Sequence, residues 1–99
     1  MNDLQKLLLE TSEAYTTMKK KLEYEERIYN GIYAGVYLQE RITGMKTEEM
    51  RKNEMIRIME SEHKEMLDRL MNLKGDTRAL YYRREALAII LGGKVGYHE

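Results

Sequence analysis

The sequence predicts an all-α protein: a long helical hairpin with a shorter third helix, packed in the manner of a coiled coil and completed by homodimerisation. Three observations predict it. The 99 residues contain no proline and are rich in Leu, Met, Glu, Lys and Arg, the residues that lose least on entering a helix. Apolar side chains recur at alternating spacings of four and three from Leu4 to Val36, the rhythm of a helix that buries one narrow stripe against another. Capping residues and glycines then punctuate the chain at intervals suited to helix ends.

The first helix starts at Asn2 or Asp3, whose side chains accept hydrogen bonds from free first-turn amides. Its stripe runs Leu4, Leu8, Thr11, Tyr15, Met18, Leu22, Glu25, Tyr29, Ile32 and Val36, and eight of these ten positions are apolar or aromatic. The end lies either near Tyr29, at Asn30-Gly31, or near Gly44. Asn30-Gly31 between Ile28-Tyr29 and Ile32-Tyr33 is also a two-residue hairpin signal. The helix-forming run Glu23 to Arg27, and the repeat of Ile28, Ile32 and Val36 beside Tyr29, Tyr33 and Tyr37, favour a helix that continues or kinks near Gly31.

Gly44-Met45-Lys46 reads as a break. Thr47 followed by Glu48 and Glu49 reads as a helix start, because the hydroxyl caps an amide and the acids favour the positive end of the helix dipole. The second helix carries the stripe Met55, Ile56, Met59, His63, Met66, Leu67, Leu70 and Leu73, supported by Glu48 with Lys52, Glu60 with Lys64 and Glu65 with Arg69. Gly75 ends it, and Asp76 caps a third helix through Leu80, Tyr81, Tyr82, Ala86, Leu87 and Ile90 to about Leu91. Residues 1–91 are thus expected to form a single helical domain and 92–99 a flexible tail.

Composition excludes several functions. Lys plus Arg and Asp plus Glu each number 17, so the net charge is zero and nucleic acid is not an expected partner. Without cysteine there is no disulfide framework, zinc ribbon or thiolate nucleophile. The apolar runs Leu7-Leu8-Leu9 and Ala86 to Leu91 are too short for a signal sequence or a membrane span, and a cytoplasmic location is expected. A chain this short buries only about 60–65% of the surface its unfolded form exposes, which makes association with a copy or a partner an expectation.

Candidate functional residues are few. Tyr29, Tyr33 and Tyr37 with Gly31 and Gly35 form a candidate partner-binding face, since tyrosine buries a large apolar body while keeping a polar tip and glycines permit close helix crossing. Tyr81, Tyr82, Arg83 and Arg84 are the candidate contact for an anionic group. The methionines Met50, Met55, Met59, Met66 and Met71 suit either core filling or an adaptable surface. Glu60-x-x-His63 has metal-ligand spacing, but the chain holds no second copy of it, and no metal or other cofactor is expected. Lys19-Lys20-Lys21 spreads around the helix with acids close behind, as a solvated face does.

No nucleophile, base and orienting group recur in a catalytic pattern, so the chain is not expected to be an enzyme. The expected function is regulation or inhibition of a larger cellular or host enzyme through protein contact, an association of size and composition with small bacterial or viral modulators. Two other classes compete: a nucleotide or nucleic-acid binder using the Tyr and Arg pairs, and a structural coiled-coil oligomer.

Overall fold

The computed structural model describes residues 2–92. They fold into four helices, α1 (Asp3–Tyr37), α2 (Glu40–Thr43), α3 (Glu48–Glu62) and α4 (Lys64–Gly92), and no strand is present among the described residues. The protein is all-α, and residues of α1 meet residues of α4 within each of two stretches of the chain. Tyr15 of α1 meets Tyr81 of α4, and Glu25 of α1 meets Arg69 of α4.

The start of α1 is a reciprocal cap. Asn2 Oδ1 accepts from the Gln5 amide at 2.7 Å and Gln5 Oε1 accepts from the Asn2 amide at 3.0 Å, which satisfies two amides that a helix start leaves without partners. From there α1 runs unbroken for 35 residues, so Asn30-Gly31 is neither hairpin nor helix end. A glycine in a helix interior costs only about 1 kcal/mol against alanine, and the buried stripe on either side outweighs that. Every position of the predicted stripe from Leu8 to Val36 is buried or half-buried, while Leu4, at its end, is exposed.

The end of α1 corrects both predicted positions, since it falls at Tyr37. Gln39 adopts extended backbone (φ −71°, ψ 149°), and the single turn α2 follows. This redirection lets Ile42 turn inward, where it is fully buried with Met55 and Ile58. Thr47 caps α3 as predicted, its Oγ1 accepting from the Met50 amide at 3.1 Å.

The predicted boundary at Gly75-Asp76 is incorrect. Both residues lie inside α4, which is continuous from Lys64, and the break instead falls at His63 (φ −129°, ψ 32°). The shorter helix of the trio is therefore α3 and the second long arm is α4. The reason is packing: Met66, Leu70, Leu73, Thr77, Leu80, Arg84, Leu87 and Leu91 continue one seam at spacings of four and three straight through Gly75, and all are buried or half-buried. The apolar residues predicted for the last helix are mostly off this seam, with Tyr82 and Ile90 more than three-fifths exposed.

The chain divides into two compact units, one holding the residues up to Leu22 and from Leu73 on, the other Glu23–Asn72. In the first, Thr11, Leu73, Thr77 and Leu87 are buried, and Thr77 Oγ1 donates to the Leu73 carbonyl at 2.7 Å. In the second, Val36, Ile42, Met55 and Ile58 form an apolar cluster with Ile32 and Tyr33 packed against it. Met55 and Ile58 face this cluster, whereas Ile56, predicted for the stripe, is 48% exposed, because two residues' advance carries a side chain about 200° round a helix. Gly92 is the last residue of α4, and the rest of the predicted tail lies outside the described residues. Among the described residues no helix is long and apolar enough to cross a membrane.

Candidate partner surface

The continuity of α1 decides how its tyrosines and glycines share the helix surface. Tyr29 and Tyr33 are half-buried neighbours one turn apart, with ring centroids at 6.1 Å and planes inclined at 35°. Tyr33 rests against the Val36–Ile42–Met55–Ile58 cluster. Burial first, and the neighbouring Tyr33 second, raise the pKa of the Tyr29 phenol above its ordinary value. Tyr37, at the last turn, is exposed.

Gly31 and Gly35 do not share that side. Each lies two residues from a member of the tyrosine row and so points roughly 160–200° away from it. A Cβ built on either glycine meets nothing within 4 Å, so neither marks a close crossing inside this chain. What they share is a different row. Tyr24, Ile28, Gly31, Gly35 and Leu38 follow one another at spacings of four and three, and all five are exposed. Tyr24 is 59% exposed and Leu38, just past the helix end, 75%.

This second row has the same period as the buried seam, carries no charge and lacks a covering element within its own unit. It was legible in the sequence as the residues at 24, 28, 31, 35 and 38. The tyrosine repeat beside it is a separate row, whose first two members, Tyr29 and Tyr33, serve the interior.

The second set of predicted residues lies in the other unit and gathers partners the sequence did not connect. Tyr15 of α1 meets Tyr81 of α4 with centroids 5.9 Å apart, and Tyr81 meets Tyr82 edge-on at 5.5 Å. The Arg84 guanidinium lies 4.6 Å from the Tyr15 centroid and 5.4 Å from that of Tyr81, and Lys19 Nζ lies 5.9 Å from the Tyr15 ring. Arg84 also approaches Glu85 at 3.5 Å. Attraction between a cation and a ring face is worth about 0.5–1 kcal/mol at such partly exposed positions. Arg84 thus occupies a seam position with its guanidinium close to two rings, while Arg83 is exposed.

At the α3–α4 junction an open groove is lined by Ser61, Glu62, His63, Lys64, Glu65 and Asp68. Its carboxylates are partly engaged: Glu62 accepts from Arg41 and Asp68 from Lys64. Glu60 and His63 do not combine with a third ligand, and among the described residues no three His, Cys, Asp or Glu side chains are grouped to hold a metal ion.

No protein-family model matches this chain, no curated protein matches it in sequence, and no solved structure matches it in fold.

Proposed function

We propose that this protein works by protein–protein contact, associating with a second copy of itself and acting as a regulator or inhibitor of a larger protein. The observation that supports this reading is the exposed row Tyr24, Ile28, Gly31, Gly35 and Leu38 on α1. Leaving that apolar strip in water forgoes about 25 cal/mol for each Å² that a partner would cover. The pattern of a helix seam suits another helix, and two glycines at its middle let the two axes approach more closely than larger side chains permit.

Sedimentation of the purified chain at high micromolar concentration tests self-association. Ile28→Lys is expected to lower the associated fraction at least tenfold while leaving helicity and melting temperature close to those of the parent, because Ile28 is 38% exposed and packs in no described core cluster. For a larger partner, binding by the Ile28→Lys and Gly31→Leu variants is expected to weaken together. The reading fails if both variants associate and bind as the parent does.

A further inference from the structure

The break between α3 and α4 has no residue that requires it. The sequence there is Glu60-Ser61-Glu62-His63-Lys64-Glu65, without glycine or proline, whereas α4 runs unbroken through Gly75. A continuous helix would carry five hydrogen bonds across this point. Two are kept, from the His63 amide to the Met59 carbonyl at 3.2 Å and from the Leu67 amide to the His63 carbonyl at 3.0 Å. Among the described residues none joins the amides of Lys64, Glu65 and Met66 to the carbonyls of Glu60, Ser61 and Glu62. Straightening the junction would restore those three bonds.

Tertiary contacts hold it bent. Ile58 and Met59 just before the break and Met66 just after it are buried. The last residue of α3 is also tied to α2, since Arg41 Nη1 and Nη2 donate to the two carboxylate oxygens of Glu62 at 3.0 and 3.1 Å while Arg41 Nε donates to Gln39 Oε1 at 2.6 Å. All three guanidinium nitrogens are engaged, so the fork is oriented by its own helix and closes on the residue beside the break.

We propose that this junction is a two-state hinge: bent with Arg41 latched on Glu62, and straight with α3 and α4 fused into one helix. Local propensity and backbone bonding favour the straight form, and apolar burial with the latch favours the bent one. Two packings that differ by a few contacts are what a switching element needs. Straightening carries α3 away from α2 and uncovers Ile42, Met55 and Ile58, an apolar surface distinct from the α1 row and independent of it.

The test uses the full chain with Met50→Cys and Met71→Cys, two exposed positions on α3 and α4, in a sequence that has no other thiol. Spin labels there report the distance by pulsed electron paramagnetic resonance. A straight helix places the two backbones about 32 Å apart, and any bend shortens this. The parent is expected to show a major short distance and a minor one near the straight value. Arg41→Ala is expected to raise the minor population several-fold. Lys64→Pro is expected to abolish it, because proline suits the first position of α4 but cannot sit inside a continuous helix. A single short distance that Arg41→Ala leaves unchanged overturns the hinge. So does a Lys64→Pro chain that keeps its helical circular dichroism and still shows the long distance.

Discussion

Arg69 Nε donates to Glu25 Oε1 at 2.9 Å, joining the two long helices through a carboxylate that is only 14% exposed. Glu25 is the one charged residue on the α1 seam, and Arg69 supplies the opposite charge that makes this position tolerable. Arg69→Ala is expected to destabilise the fold by about 1 kcal/mol or somewhat more, the cost of leaving a half-buried acceptor without its partner. Glu25→Leu is expected to be neutral or stabilising, because it removes the acid and fills the seam together. Chemical denaturation of the two variants checks the pair: no loss from Arg69→Ala would show that Glu25 is simply solvated, and a loss from Glu25→Leu as large as that from Arg69→Ala would show that the ion pair itself is net stabilising.

Core and surface isoleucines two residues apart separate packing from propensity. Ile58 is fully buried, so Ile58→Ala is expected to cost about 2–5 kcal/mol through lost burial and the cavity left behind. Ile56, on the opposite side of α3, is 48% exposed, and Ile56→Ala should stay within about 0.5 kcal/mol of the parent. Thermal unfolding followed by circular dichroism reads both.

Glycine substitutions should change sign with position. A Cβ at Gly31 or Gly75 meets nothing within 4 Å, and both lie inside helices, so alanine at either is expected to stabilise by about 0.5–1 kcal/mol. At Gly44, which ends α2, a Cβ would stand 2.9 Å from the Glu40 carbonyl oxygen. Gly44→Ala is expected to destabilise by about 1–3 kcal/mol, since backbone has to move to admit the methyl group. Melting temperatures of the three single variants decide it.

The Arg41–Glu62 and Arg57–Glu54 pairs make part of the surface pH-dependent. Hydrogen bonding from Arg41 holds the Glu62 carboxyl below its usual range, and hydrogen bonding from Arg57 does the same for Glu54. A carboxyl whose folded pKa is depressed contributes stability above its unfolded value near 4.5, and that contribution is lost as pH falls through the lower folded value. Glu62→Gln is therefore expected to melt below the parent at pH 7 and to converge with it in acid. Raising salt at pH 7 should also narrow the gap, because both partners are exposed to solvent. A gap that persists unchanged at low pH would assign the effect to packing of the Glu62 stem.

Much of the helical framework follows from the sequence alone because its signals are local or strictly periodic. The all-α class rests on composition. The α1 stripe from Leu8 to Val36 rests on a spacing that only one helix face satisfies, and the caps at Asn2 and Thr47 rest on side chains that bond amides a few residues away. The breaks and the partition of faces do not follow in this way. Gly75 looks like a helix end and is an interior residue, because the seam from Met66 to Leu91 gains more by continuing than one glycine costs. His63 looks like an interior residue and is an end, because burial of Met59 and Met66 and the reach of Arg41 to Glu62 favour a turn of the chain there. The tyrosine repeat looks like one surface with Gly31 and Gly35, yet an unbroken helix sends the glycines to the opposite side while Tyr33 closes on Ile42, Met55 and Ile58. Periodicity states which residues share a face. Only long-range packing, which sums burial over residues distant in the chain, decides which face is inside and where a helix must stop.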